Sequence, residues 1–139
     1  MPTAKELNVQ MEDRPGALGK LCRALADRGV NILAFQAASD ERRTQVHIVT
    51  DNPIIAKSVL ESQGLAFTEV EVVQAKLPHR PGELARAASR LGEANINISY
   101  AYGGVDPGTN EPFLILGVGV AEIGRAVAIL DKAVAAAAT

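Results

Sequence analysis

The stretch Arg14-Pro15-Gly16-Ala17-Leu18 returns sixty-six positions later as Arg80-Pro81-Gly82-Glu83-Leu84, and Asn31-Ile32 returns at the same spacing as Asn97-Ile98. One unit is therefore written twice, and each copy can be read against the other. Ahead of the first pentapeptide, Leu7, Val9 and Met11 alternate with Asn8 and Gln10; ahead of the second, Val73, Ala75 and Leu77 alternate with Gln74 and Lys76. This period of two predicts a strand with one apolar face. Behind the pentapeptides, Leu18, Leu21, Cys22 and Leu25, and Leu84, Ala87, Ala88 and Leu91, recur at helical spacing. Each first strand thus turns into an amphipathic helix. Asp27-Arg28-Gly29 and Glu93-Ala94-Asn95 end these helices, because Gly and Asn accept the left-handed conformation of a helix stop.

Further outward, Val30 to Ala38 and Ile96 to Tyr102 are expected as second strands, and Arg43 to Thr50 and Pro112 to Val120 as third strands. A short Ser39-Asp40-Glu41-Arg42 connection joins the first pair, and a longer Gly103 to Glu111 loop the second. Second helices are expected after Asp51-Asn52-Pro53 and after Glu122. Ala66 to Leu77 reads as one strand that closes the first repeat and opens the second. The expected fold is α+β: two ferredoxin-like β-α-β-β-α-β units in tandem, residues 1–70 and 71–139, with antiparallel sheets and helices on one face. The second unit ends in Ala135-Ala136-Ala137-Ala138-Thr139, which favours helix, so its last strand is expected to be missing or replaced.

Units this small bury only about 60% of the surface of their unfolded chain, so a shared interface or oligomerisation is expected. An unpaired edge in the second unit points the same way. So do the strand faces: with Ile32, Ala34 and Gln36 toward the helices, and Ile98, Tyr100 and Tyr102 likewise, Leu33, Phe35 and Ala37 form an apolar outer face. A register one residue different would exchange the two faces. Phe113-Leu114-Ile115-Leu116 is apolar on both faces and predicts a strand buried from both sides.

The net charge of -2 and scattered Lys and Arg give no footprint for nucleic acid. Phe113 to Ala121 is too short to span a membrane and the first residues lack a signal-peptide core, so a cytoplasmic protein is expected. Cys22 is the sole cysteine, which excludes an internal disulfide and a Cys-x-x-Cys metal pair; a small buried side chain is expected there, and no metal or cofactor. His47 and His79 have no nucleophile beside them, so catalysis is not expected.

The turn Asp13-Arg14-Pro15-Gly16 brings the free amides of a helix N-terminus close to whatever docks there, and such a terminus suits a carboxylate. Asp13 would receive an ammonium, so the two ends of a free α-amino acid have complements side by side. The same residues also suit a tight βα turn in which Asp13 merely caps the helix.

The (Asp/Asn)-Arg-Pro-Gly-x-Leu turn after a strand, the amphipathic helix, and Gly-Val-Asn-Ile or Asn-Ile-Asn-Ile opening the next strand together resemble the ACT domain. As a pair covering nearly the whole chain they look like the stand-alone tandem-ACT regulatory proteins. The resemblance implies a non-enzymatic regulatory module that binds a small molecule, most often an amino acid, at an interface between units. It also implies a homodimer or higher homo-oligomer, or a subunit that binds an amino-acid biosynthetic enzyme. Carried over residue by residue, the ligand-binding set is Asp13, Arg14, Gly16, Ala17, Leu18, Asn31 and Ile32, with His79, Arg80, Gly82, Glu83, Leu84, Asn97 and Ile98 in the second unit. Arg14 and Arg80 are expected at the surface or an interface more than on a ligand, and Asn31 and Asn97 on backbone. The sites differ: His79 replaces Asp13, and Glu83, in place of Ala17, brings a carboxylate where a ligand carboxylate would sit. The Asp13 turn is therefore the expected ligand site.

Overall fold

Alternating apolar residues at Leu7, Val9 and Met11 form the buried side of strand β1 (Thr3–Glu12) in the computed structural model, which describes residues 3–138. Helix α1 (Ala17–Asp27), strands β2 (Ile32–Asp40) and β3 (Arg43–Thr50), helix α2 (Pro53–Ser62) and strand β4 (Ala66–Ala75) follow. The same order then recurs as helix α3 (Glu83–Glu93), strands β5 (Tyr100–Val105) and β6 (Pro112–Gly117), a single 3-10 turn at Val120–Glu122, and helix α4 (Ile123–Ala138).

The chain divides into two compact units, one of Lys5–Val70 and one of residues 71–138 with Thr3 and Ala4. In the N-terminal unit β3 lies between β1 and β2, antiparallel to both, with Leu7 opposite Ile48 and Val9 opposite Val46. These four pack with Leu21 and Leu25 of α1 and Ala56, Val59 and Leu60 of α2 in one apolar core. In the C-terminal unit β6 lies between β4 and β5, and Val73, Ala75 and Leu116 pack with Ala87 and Leu91 of α3 and Ala126 and Leu130 of α4. β4 is one unbroken strand. Phe67, near its start, packs against the N-terminal core, whereas Val73 and Ala75 belong to the C-terminal one.

Helix ends follow their local chemistry. Gly29 (φ 72°) and Asn95 (φ 61°) stop α1 and α3 in the left-handed region. Asn52 caps α2, its side chain accepting from the Ile55 N–H at 3.1 Å, with Pro53 in the first turn. The alanine tail continues α4 through Ala138, whereas Thr139 lies outside the described residues.

Three expectations are corrected. First, β2 carries an extra residue: the register shifts between Ile32, opposite Thr50, and Ala34, opposite Val49. Ile32 faces the helices as expected, but Phe35 and Ala37 stand opposite Ile48 and Val46 on that same side, and Ala34 and Gln36 lie on the other. Phe35 remains 55% exposed. Secondly, β5 starts at Tyr100 and takes in Gly103 to Val105, so the loop is shorter than expected, and β6 stops at Gly117. The pairing also starts irregularly: Ser99 donates its N–H to the Gly117 carbonyl at 2.8 Å while Tyr100 is the residue opposite Gly117. Tyr100 and Tyr102 therefore turn away from the helices and stack on each other, ring centroids 6.4 Å apart and planes 9° from parallel. Thirdly, Cys22 is half-buried rather than buried. Phe113, Ile115 and Leu116 are all buried, so β6 is covered on both faces. No helix among the described residues is long and apolar enough to cross a membrane.

Candidate functional site

The turn between β1 and α1 is held from the sheet side. The Asp13 N–H donates to the Arg42 carbonyl at 3.0 Å, and the Asp13 Oδ1 accepts from the Thr44 hydroxyl at 3.1 Å. Ser39 Oγ lies 3.5 Å from the same Thr44 oxygen. Asp13 therefore does not cap α1. The N-cap is Gly16 (φ 85°), which has no side chain to offer, and the first helical bond runs from the Lys20 N–H to the Gly16 carbonyl at 2.9 Å. At +85° an L side chain is strained, so Gly is what lets the chain enter the helix here. Unlike α2, α1 begins without a side-chain acceptor on its first amides.

A cleft of about 200 Å³ opens on this corner. Asp13, Arg14, Ala17 and Leu18 line it from the turn and helix, and Ala37, Ala38, Ser39 and Thr44 from β2 and β3. One wall thus presents a carboxylate, another the positive end of a helix, and between them stand small apolar side chains. That arrangement complements a small zwitterion.

The C-terminal unit has a cleft of about 290 Å³ at the equivalent place, lined by Leu77, His79, Arg80, Glu83, Leu84, Gly103, Gly104 and Phe113 among others. Gly82 (φ 92°) is the counterpart of Gly16. Three differences matter. His79 replaces Asp13, and Pro112 of β6 comes to the cleft wall with no hydroxyl to offer. Glu83, at the first turn of α3, is only 5% exposed, and its Oε1 accepts from Arg80 Nε at 2.7 Å with Arg86 Nη2 at 3.8 Å. An internal carboxylate already sits at the positive end of α3.

Asn31, Ile32, Asn97 and Ile98 line neither cleft. Asn31 uses its backbone: its N–H donates to Asp51 Oδ1 at 2.9 Å, and its carbonyl accepts from the Asp51 N–H at 3.0 Å. Ile32 and Ile98 are half-buried against their cores, and Asn97 is exposed. Residues that the sequence reading did not single out, Ala37, Ala38, Ser39 and Thr44, complete the first cleft, and Gly103 and Gly104 the second. Thr44 reaches Asp13 across thirty-one positions because β1 pairs with β3 in the register that sets Met11 opposite Thr44. No local motif announces that contact.

Residues 5–62, which contain Asp13 and the whole of the first cleft, match the ACT domain model. No match was found among curated proteins. In three dimensions the chain is similar to protein BT0572 from Bacteroides thetaiotaomicron, at 22% sequence identity and a TM-score of 0.82, over 94% of this chain and 88% of that one. It is also similar to the ligand-free regulatory subunit of aspartate kinase from Thermus thermophilus (16% identity, TM-score 0.63, 94% and 91% covered). The regulatory subunit of aspartate kinase from Thermus flavus is a further likeness (17% identity, TM-score 0.61, 94% and 92% covered).

Proposed function

We propose that the chain is an amino-acid-binding regulatory protein built of two ACT units, residues 1–70 and 71–139, and that the ligand docks in the cleft beside Asp13. One observation carries this reading. Asp13 and the side-chain-free start of α1 face one small cleft of about 200 Å³, below the roughly 300–1,000 Å³ typical of drug-sized ligands. The Asp13 carboxylate takes the ammonium, the amides of α1 take the carboxylate, and Ala37 and Ala38 leave room for the side chain. The ACT match over this unit supports the reading. A thermal-shift screen against the free amino acids tests it, since a ligand at a hundred times its Kd adds roughly 2.7 kcal/mol to the folded state. Calorimetry then separates the clefts: Asp13→Ala should abolish binding and His79→Ala should leave it. Equal losses in the two variants would reject the assignment to Asp13.

A second reading adds a protein partner. The likeness to the aspartate kinase regulatory subunits extends over nine-tenths of both chains, which supports a subunit that carries the ligand signal to an amino-acid biosynthetic enzyme. Self-association is the simpler form of assembly, and exposed Phe35 and Leu84 support it. Affinity purification from the source cell distinguishes them, a catalytic enzyme in stoichiometric yield favouring the partner and a homo-oligomer alone the free-standing sensor.

A further inference from the structure

The two repeats place the same cations around the start of their first helices, but only one of them supplies the anion. In the C-terminal unit Arg80 and Arg86 flank Glu83, whose carboxylate is nine-tenths buried. Sixty-six positions earlier stand Arg14 and Lys20, and between them, in place of Glu83, is Ala17. A cavity of about 360 Å³ lies in the N-terminal unit, and Arg14, Ala17, Lys20 and Arg43 are among its walls. It shares Arg14 and Ala17 with the cleft that opens on Asp13. Glu12 also lines this cavity, its carboxylate 3.5 Å from Arg14 Nε, and both side chains are more than half exposed. Such a pair is loose and screened by salt. Among the described residues Lys20 and Arg43 have no ion pair.

We infer that the position filled by the Glu83 carboxylate in the second repeat is, in the first, left for the carboxylate of a ligand, held by Arg14 and Lys20 with Arg43 completing the cationic wall. This deepens the amino-acid reading, on which the identity of the ligand rests: it names the side chains that hold the acid end and makes Ala17 and Glu83 the residues that decide which repeat is open. Three features support it together. The repeats are equivalent in sequence and in local fold. The second repeat shows that a carboxylate fits between these two cation positions. The first offers a cavity on the same side chains. A ligand carboxylate there is attracted by Arg14, Lys20 and Arg43, in excess of the one opposing carboxylate of Glu12, and by the end of α1, whereas the second repeat repels one through the buried Glu83.

The test uses the full chain labelled with 15N and titrated with sodium acetate, against sodium chloride at equal ionic strength. Saturable acetate shifts are expected at the amides of Gly16 to Lys20 and not at those of Gly82 to Arg86. Ala17→Glu, which copies the second repeat, should abolish the response, and Arg14→Ala with Lys20→Ala should do so by removing the cations instead. Glu83→Ala should create a saturable response at Gly82 to Arg86. Amide dispersion in the same spectra reports whether each variant is folded. An acetate response no different from chloride, an Ala17→Glu variant that still responds, or a folded Glu83→Ala variant that gains nothing overturns the inference. Acetate binding without any amino-acid hit in the screen keeps the carboxylate site and discards the amino-acid reading. Amino-acid binding that survives Ala17→Glu does the reverse.

Discussion

Gly117 of β6 is the residue opposite Tyr100, and the tyrosine ring lies across it. A Cβ added at Gly117 would stand 2.3 Å from Tyr100 Cε1 and 2.4 Å from Cζ, well inside any real carbon contact. The ring has to move, and moving it disturbs the parallel stack with Tyr102. Forcing extra volume into such a site costs about 1–3 kcal/mol. The backbone itself raises no objection, since Gly117 is not in the left-handed region, and Gly→Ala at a compatible position gains about 0.4–1 kcal/mol through the unfolded chain. Gly117→Ala should therefore destabilise the wild-type background by about 1–2 kcal/mol. In a Tyr100→Ala background the clash is gone, and the same substitution should be neutral or stabilising by up to about 1 kcal/mol. The coupling between the two sites is then about 1–3 kcal/mol, large for a pair of facing residues. The chain has no tryptophan, so urea unfolding of the four proteins of this cycle is best followed by far-ultraviolet circular dichroism. A Gly117→Ala cost that is the same with and without Tyr100 would refute the reasoning.

The Lys76 ammonium, with help from the Gly108 N–H at 2.8 Å, holds the Asp106 carboxyl below its ordinary value of 3.8 against the opposing effect of burial. A carboxylate depressed in the folded state contributes stability above its unfolded pKa and loses it as the pH falls through the folded value. The stability difference between wild type and Asp106→Asn should accordingly be present at neutral pH and shrink below about pH 4; a difference unchanged down to pH 2 would count against the Lys76 contact. Gly16→Ala should cost about 1–2 kcal/mol from backbone strain alone, because φ is 85° and a Cβ there meets nothing within 4 Å; Gly16→Asn, measured in the same urea series, should cost less. Leu25→Ala, a fully buried truncation under α1, should cost about 2–5 kcal/mol by equilibrium unfolding.

The element order was legible because each boundary carries its own chemistry. Gly29 and Asn95 stop helices, Asn52-Pro53 starts one, and the apolar spacing of Leu18 to Leu25 cannot serve a strand. β3 runs from Arg43 to Thr50 as its alternation indicates, and β4 is one strand because nothing between Ala66 and Ala75 breaks it. What the sequence concealed lies in pairing. The extra residue after Ile32 has no signature of its own, since Leu33 is an ordinary strand residue, and it reversed the faces assigned to Phe35 and Ala37. The Asp13 turn was legible for the same reason as the helix ends: Pro and Gly mark it. Ala37, Ser39 and Thr44 were not, because they reach the cleft through strand register.

That one extra residue in β2 acts as a phase shifter for everything beyond it. Strict alternation from Ile32 onward would put Ala34 and Gln36 on the helix side; the extra residue puts Phe35 and Ala37 there instead, and deleting Leu33 would remove the irregularity while leaving Ala37 opposite Val46. The second repeat departs from regular pairing at the equivalent position, Ser99, and has glycines downstream, so two copies of one frame display different linings.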